Sequence, residues 1–115
     1  MEIIDYKKWS NKATEWGSNY LLDLQNKPVR PNIEPGSVAS LLPDTPPEEA
    51  EDPEVIFSDF EKIVPNAMTH WQHPRFFAYF PSNASVASIV AEQLVNTIAA
   101  QCMLWQTSPA ATEIE

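Results

Sequence analysis

The first clear pattern in the chain is an apolar stripe between residues 5 and 26. Aromatic and aliphatic side chains recur there at steps of three and four residues, which places them on one face of an α-helix. The pattern therefore predicts an amphipathic helix over residues 5–26 with a strongly aromatic face. This aromatic stripe consists of Tyr6, Trp9, Ala13, Trp16, Tyr20 and Leu24.

Three interpretations of the aromatic stripe are open. An ordinary core-facing helix buries such a face within its own domain. The face can instead dock on another subunit or domain, because the chain offers little else for the stripe to cover. A helix lying on a membrane surface fits less well, since helices of that kind usually carry a strongly basic polar face.

A proline-rich connector follows the first helix, from Lys27 to Pro53. Its prolines forbid a long helix and favour extended or turn geometry. Within it, residues 34–37 predict a turn, followed by one short helical segment through Leu42. The acidic stretch from Asp44 to Glu54 lacks the alternating ligands and the glycine turn of a calcium loop, which indicates a solvated surface loop.

A second helix is predicted to begin after Asp52. This residue suits the N-cap position, and Pro53 suits the first helical position. The apolar stripe of this helix is Val55, Ile56, Phe60, Ile63 and Val64, and Pro65 ends it.

A third, longer helix is predicted from about Ser85 to Trp105, and apart from Glu92 it carries no charge. A helix this apolar is typically buried on several sides, which requires more protein than this chain provides. The pair at residues 108–109 ends this helix, and Thr112 begins a predicted fourth one. Its apolar positions are Val86, Ile89, Val90, Leu94, Ile98, Cys102 and Trp105.

Composition narrows the classes of partner. The 115 residues include eleven prolines and two glycines, and the formal net charge is -9. An acidic chain without clustered basic residues argues against nucleic-acid binding and against anionic membranes. The start shows no secretory signal, and no apolar run is long enough to cross a bilayer. A single cysteine, Cys102, fits a reducing compartment, so the expected location is the cytoplasm.

Two histidines, His70 and His73, flank Trp71. A zinc site would need two further ligands, which the sequence does not supply nearby. A nucleophile such as Ser82 or Cys102 has no identifiable orienting acid, so a hydrolase using these histidines is a weak alternative. The simplest prediction is that the pair makes hydrogen bonds in a turn at the mouth of a pocket.

The run F-F-A-Y-F-P-S at residues 76–82 has two interpretations. Its apolar residues of alternating size are typical of a buried strand. A stiff proline between a tyrosine-containing run and a hydroxyl also suits the wall of a cleft, which offers apolar area and a few polar groups.

Two longer motifs carry a family resemblance: H-P-x-F-F-A-Y-F-P-[ST] and W-x-x-S-P-A-x-T-E-[LI]-E. They cover Thr69 to Glu115, with a looser match from Pro31 to Gly36. The chain resembles the amino-terminal part of the group II pyridoxal-phosphate-dependent decarboxylases, of the aromatic-L-amino-acid and tyrosine decarboxylase type. The resemblance implies a mostly α-helical amino-terminal segment of a fold-type I enzyme. In it, residues 1–26 pack on the partner subunit, residues 27–53 form the connector, and residues 54–115 form helices and a pocket loop.

The resemblance also implies site residues. The segment lines a substrate pocket and helps to build the interface of a homodimer, and it holds no catalytic, cofactor or metal ligand. Gln101 and Met103 correspond to positions that reach across the dimer, where animal aromatic decarboxylases tend to have an apolar pair including Phe. The other implied substrate-binding residues are Trp71, Tyr79, Phe80, Pro81 and Ser82.

In such an enzyme, pyridoxal phosphate serves as the electron sink when carbon dioxide leaves an L-amino acid to give the amine. The cofactor lysine is expected beyond Glu115, and the lysines present here (Lys7, Lys8, Lys12, Lys27 and Lys62) are interpreted as surface charges. The chain alone is therefore not expected to decarboxylate an amino acid. The alternative is a stand-alone helical dimerisation module without catalysis.

Overall fold

The computed structural model describes residues 2–80 and 83–114. Within them lie four α-helices, α1 (Tyr6–Asp23), α2 (Pro53–Ile63), α3 (Val86–Ile98) and α4 (Pro109–Ile114). Short 3-10 turns occur at Ile3–Asp5, Leu24–Asn26, Ala39–Leu41 and Pro65–Ala67, and the described residues contain no strand. The mostly α-helical fold class is thereby confirmed. The chain divides between residues 81 and 82 into two compact units.

In the first unit, the aromatic stripe of α1 packs against α2. The rings of Trp9 and Phe57 lie 6.2 Å apart, and Trp16 meets Phe60 edge-on at 4.9 Å. The expectation that the chain offers little for this stripe to cover was wrong, because the apolar face of α2 supplies these rings. The core-facing interpretation therefore holds at both tryptophans, which are half-buried. Packing of residues 1–26 on another subunit stays a prediction.

The predicted bounds of α2 and of the connector turn are confirmed. The Asp52 carboxylate accepts a hydrogen bond from the backbone N–H of Glu54 at 2.9 Å, so it caps the helix as expected. The helix ends at Ile63, just before Pro65. In the connector, Gly36 has a φ of 89°, a left-handed conformation that glycine adopts without steric cost, and the predicted short helical segment follows it.

The first unit has a small core made mostly of half-buried rings. Leu24 is its buried apolar residue, and His70 and His73 are its buried polar residues. The backbone N–H of His70 donates to the carbonyl of Val29 at 2.9 Å, which ties the segment after α2 to the segment after α1. The two histidines thus lie where the segment after α2 contacts the segment after α1.

In the second unit, α3 is shorter than predicted. A capping box between Ser85 and Ser88 begins it, and Ala99, with a φ of 49°, ends it in the left-handed conformation. The prediction of helix over residues 99–105 was wrong because the Thr107 hydroxyl donates to the carbonyls of Gln101 and Leu104, at 3.0 and 2.8 Å. These side-chain bonds stabilise a turn in place of further helix.

The last helix, α4, begins one turn earlier than predicted. α3 already ends at Ile98, so Ser108 and Pro109 do not terminate it as predicted. Pro109 instead occupies the first helical position of α4, where its missing N–H is no loss. The backbone N–H and hydroxyl of Thr112 both donate to the Ser108 carbonyl, at 3.1 and 3.0 Å. Thr112 therefore lies inside the helix and does not begin it.

Every residue of α3 is exposed, although the helix is almost uncharged. Helices that are apolar on all faces are normally covered by other protein. In the described part of the chain, no helix combines the length and hydropathy that a membrane span requires.

Candidate functional site

Three rings near the end of the first unit form a stacked cluster, which we call the aromatic platform: Trp71, Phe76 and Tyr79. The Trp71 and Tyr79 rings lie 5.8 Å apart and nearly parallel, with 19° between their planes. Phe76 contacts Trp71 from a tilted position at 5.0 Å. Trp71 is 44% exposed and Tyr79 is 82% exposed, so the platform offers aromatic surface to a ligand or to another part of a protein.

The backbone at Tyr79 is strained. Its φ is 58°, in the left-handed region that residues other than glycine rarely adopt. Such a conformation persists when the surrounding structure enforces it, and it is common at functional sites. The buried-strand interpretation of residues 76–82 is not what the structure has: residues 76–80 are irregular, and Phe77 and Phe80 are almost fully exposed.

The turn that carries Trp71 is held by the two histidines. The backbone N–H of His73 donates to the His70 carbonyl at 3.0 Å, and that of Phe76 donates to the His73 carbonyl at 2.9 Å. The N–H of Arg75 donates to Nδ1 of His73 at 3.0 Å. The predicted hydrogen-bonding role of the histidine pair is thus confirmed. Among the described residues, no three His, Cys, Asp or Glu side chains cluster as metal ligands would.

His70 also bonds to a residue fifty positions earlier. Its Nδ1 lies 2.8 Å from the Tyr20 hydroxyl on α1, and the two groups share a hydrogen bond. Burial lowers the pKa of His70, and the nearby positive charge of Lys27 and the His73 ring lower it further. Burial raises the pKa of Tyr20. The two partners are therefore both held in their neutral forms.

The other predicted substrate-binding residues are distributed along the chain. Phe80 is exposed beside the platform, and Pro81 and Ser82 lie outside the described residues. Gln101 and Met103 lie in the second unit, in the exposed stretch between α3 and α4. Within the first unit, the structure thus brings together Trp71 and Tyr79.

Sequence reasoning missed two contributors to this region. Phe76 belongs to the aromatic run, but its contact with Trp71 depends on the turn at residues 71–75. Tyr20 was assigned to the aromatic stripe, and no local pattern links it to His70. Its position at the end of that stripe was the one available signal.

Two cavities lie in the first unit, beside α1. A groove of about 520 Å³ runs along Trp16, Tyr20 and Phe57, with both charge signs at its edge. A smaller cavity of about 90 Å³ lies next to His70, between Lys27 and Met68. Neither is lined by a residue of the aromatic platform, and the Trp71 and Tyr79 rings of the platform are exposed.

Two lysines at or after α1 are engaged with neighbouring carboxylates. Lys12 forms an ion pair with Glu54, and Lys27 forms one with Asp23 at 3.3 Å. Hydrogen bonds from Asn26 and Lys27 lower the pKa of Asp23. These contacts agree with the interpretation of these lysines as surface charges.

Comparison with known proteins agrees with the motifs. The model of the pyridoxal-dependent decarboxylase conserved domain matches residues 35–115. The aromatic-L-amino-acid decarboxylase of Manduca sexta is 39% identical over 111 residues, which are 96% of this chain and 22% of the relative. The 4-hydroxyphenylacetaldehyde synthase of Rhodiola rosea is 40% identical over 116 residues, which are 100% of this chain and 24% of the relative.

Comparison with solved structures agrees with the sequence comparison. The chain superimposes on the Rhodiola rosea 4-hydroxyphenylacetaldehyde synthase with a TM-score of 0.92 at 36% identity, covering 100% of this chain and 25% of that one. For the Oryza sativa TDC with PLP and tryptamine, the TM-score is 0.93 at 34% identity, covering 100% and 24%. The chain belongs to the pyridoxal-dependent decarboxylase family. It spans about a quarter of the length of the relatives that it matches.

Proposed function

We propose that this chain is the substrate-pocket and dimer-interface segment of a pyridoxal-phosphate-dependent decarboxylase that converts aromatic L-amino acids to amines and carbon dioxide. The observation that carries the proposal is the aromatic platform. Its stacked rings are exposed, and the strained backbone of Tyr79 holds one of them in place. Aromatic pairs gain about 0.5–1.5 kcal/mol beyond the area that they bury, so the platform suits a substrate ring.

The described residues fit the substrate better than the cofactor. Pyridoxal phosphate requires a lysine amine for its aldehyde. Here Lys12, Lys27 and Lys62 are paired with carboxylates, and Lys8 lies over the Trp9 ring at 4.8 Å. The platform itself contributes ring faces. We therefore assign the cofactor to residues of the enzyme outside this chain.

Two apolar surfaces support an assembly role. The exposed face of α3 would be covered by the rest of the polypeptide, since the relatives are about four times longer than this chain. On α1, the aromatic stripe is used against α2, but Leu22 and the residues Ile3 and Ile4 just before the helix are exposed. We assign these three side chains to the contact with a partner subunit.

The test is Tyr79→Ala in the full-length polypeptide that carries this chain. Removal of the stacked ring is expected to raise KM for an aromatic L-amino acid by about 10-fold, which corresponds to ~1.4 kcal/mol. The visible absorbance of bound pyridoxal phosphate should stay unchanged, because the ring does not hold the cofactor. Phe77→Ala is the matched control, since Phe77 is an exposed ring of the same run that lies outside the platform.

Four results would contradict the proposal. A loss of cofactor absorbance in the Tyr79→Ala variant that is as large as its loss of substrate use would place this ring at the cofactor. Equal effects of the two substitutions would remove the special role of the platform. Formation of the aldehyde in place of the amine by the unsubstituted polypeptide would assign it to the reaction named for its Rhodiola rosea relative. A polypeptide that dimerises without any turnover would favour the interaction module.

A further inference from the structure

His70 is fixed from two directions immediately before the aromatic platform begins. Its side chain is 4% exposed, and it binds the Tyr20 hydroxyl of α1 through Nδ1 at 2.8 Å. Its backbone N–H binds the Val29 carbonyl at 2.9 Å. The next residue is Trp71, the central ring of the platform. The position of Trp71 therefore depends on how His70 is held.

His73 secures the other side of Trp71. It is 3% exposed, and its backbone N–H binds the His70 carbonyl. Because its Nδ1 accepts the N–H of Arg75, the proton of the neutral ring lies on Nε2, and that nitrogen is buried without a hydrogen-bond partner among the described residues. The turn that carries Trp71 therefore lies between two buried histidine side chains.

Ring contacts link this turn to the packing of α1 on α2. Phe60 meets Trp16 at 4.9 Å, Trp16 stacks on Tyr20 at 5.3 Å, and Tyr20 meets His70 at 5.6 Å. The hydrogen bond between the Tyr20 hydroxyl and Nδ1 of His70 adds a polar contact to this series of ring contacts. A loss of that bond would release the turn from α1 while the ring contacts of the helices remain.

We propose that Tyr20 and His70 are positioning residues for the aromatic platform, and that their hydrogen bond sets how well the enzyme uses aromatic substrates. The inference rests on the proposed function, because the platform must first be part of the substrate site. Neither residue touches the substrate. They act through Trp71, whose ring is fixed by the turn.

The charge on His70 provides a specific signature of this role. The groups that face it are Tyr20 on α1, Lys27 after α1, and His73 on its own turn. Burial lowers the pKa of His70, and the positive charge of Lys27 and the neighbouring His73 ring add to that effect. A proton on His70 would place a second cation beside Lys27 in a buried position, so acidification should loosen the turn.

The experiment uses Tyr20→Phe in the full-length polypeptide, which removes one hydroxyl and keeps the ring. KM for an aromatic L-amino acid is expected to rise about fivefold, the factor that one hydrogen bond of ordinary strength provides, with a smaller change in kcat. Hydrogen exchange at the amides of His73 and Phe76 should accelerate by a similar factor. Trp9→Phe is the control, because it perturbs the packing of α1 on Phe57 without touching His70.

The pH dependence of KM distinguishes the positioning role from a nonspecific loss of structure. KM of the unsubstituted polypeptide is expected to rise as the pH falls through the pKa of His70, which lies below the ordinary histidine pKa of 6.5. His70→Asn keeps an acceptor for the Tyr20 hydroxyl but cannot take up a proton, so it should remove this acid-side rise.

The outcomes separate this inference from the proposed function. If Tyr79→Ala raises KM and Tyr20→Phe does not, the positioning role is wrong while the pocket assignment stands. Unchanged exchange at the His73 and Phe76 amides would overturn the inference even in a polypeptide without turnover. If Tyr20→Phe and Trp9→Phe change KM and amide exchange equally, Tyr20 and His70 contribute only to the general packing of the helices.

Discussion

His70 makes the stability of the first unit depend on pH. The folded chain holds the pKa of His70 below its ordinary value, so the unfolded chain binds the proton more tightly. The stabilisation is therefore fully present above pH 6.5 and is lost as the pH falls through the lowered pKa of the folded state. We expect the free energy of unfolding, measured in urea at several pH values, to decrease over this range.

His70→Asn is the variant that checks this prediction, because asparagine does not titrate. Its unfolding free energy should lose the slope just below pH 6.5. The lowered pKa of Asp23 acts in the same direction but in a more acidic range, below 3.8. A slope that survives in the variant would mean that another group carries the pH dependence.

For single residues, the sequence predicted local hydrogen bonding better than contacts between residues far apart in the chain. The motif indicated Trp71 and Tyr79, and the structure stacks them. The hydrogen-bonding role of His70 was predicted as well. Its partner was not, because Tyr20 is fifty residues away and only the closure of the chain brings them together. The left-handed φ of Tyr79 was equally hidden, since no glycine or asparagine marks that position.

At the scale of single elements, the end of α3 offers a test of helix energetics. Ala99 ends the helix with a φ of 49°, where glycine has no steric penalty. We expect Ala99→Gly to stabilise the second unit by about 0.5–1 kcal/mol, since a left-handed alanine costs roughly 1–2 kcal/mol and glycine loses part of that gain to chain entropy. The measurement is urea unfolding followed by circular dichroism.

The same substitution inside the helix gives the matched control. Ala91→Gly lies in the middle of α3 and should destabilise it by about 1 kcal/mol. Effects of the same sign at both positions would show that Ala99 is not the terminating residue in solution.

Helix beginnings were easier to predict than helix ends. Asp52 and Pro53 mark the start of α2 by well-understood capping chemistry, and the structure has it there. The end of α3 was placed seven residues too late. Its apolar periodicity continues to Trp105, but the Thr107 hydroxyl binds backbone carbonyls and closes a turn. Hydrogen bonds from a polar side chain that lies after the helix cannot be inferred from the periodicity of apolar residues.

At the scale of the whole molecule, the proposed dimer contact can be tested with Leu22→Lys in the full-length polypeptide. Leu22 is a 76% exposed leucine on α1. Burial of such a side chain contributes about 1.5–3 kcal/mol, so its replacement by lysine should raise the dimer dissociation constant by about 10-fold or more. A dilution series in the analytical ultracentrifuge measures this change.

Leu41→Lys provides the comparison, because Leu41 is a 64% exposed leucine in the connector. It is expected to leave the dissociation constant nearly unchanged. A dimer that is insensitive to Leu22→Lys, or equally sensitive to both substitutions, would remove this end of α1 from the subunit contact.

The individual helices followed from periodicity, and the mostly helical class also from the family resemblance. The packing of α1 on α2 followed from neither. Both stripes were visible in the sequence, but the connector between them has many prolines and no periodicity, so its path could not be inferred. Docking of the aromatic stripe on another subunit was therefore kept beside the core-facing interpretation. The structure pairs the stripe with Phe57 and Phe60 of the same chain.

Because the chain divides into two units, each unit has its own tryptophan fluorescence. Trp9, Trp16 and Trp71 lie in the first unit, and Trp105 is the one indole of the second, where its Nε1 donates to Glu113 at 2.7 Å. In Trp105→Phe, all tryptophan emission comes from the first unit. The difference between the emission of the two proteins then reports the second unit alone, so their melting can be followed separately in one cuvette.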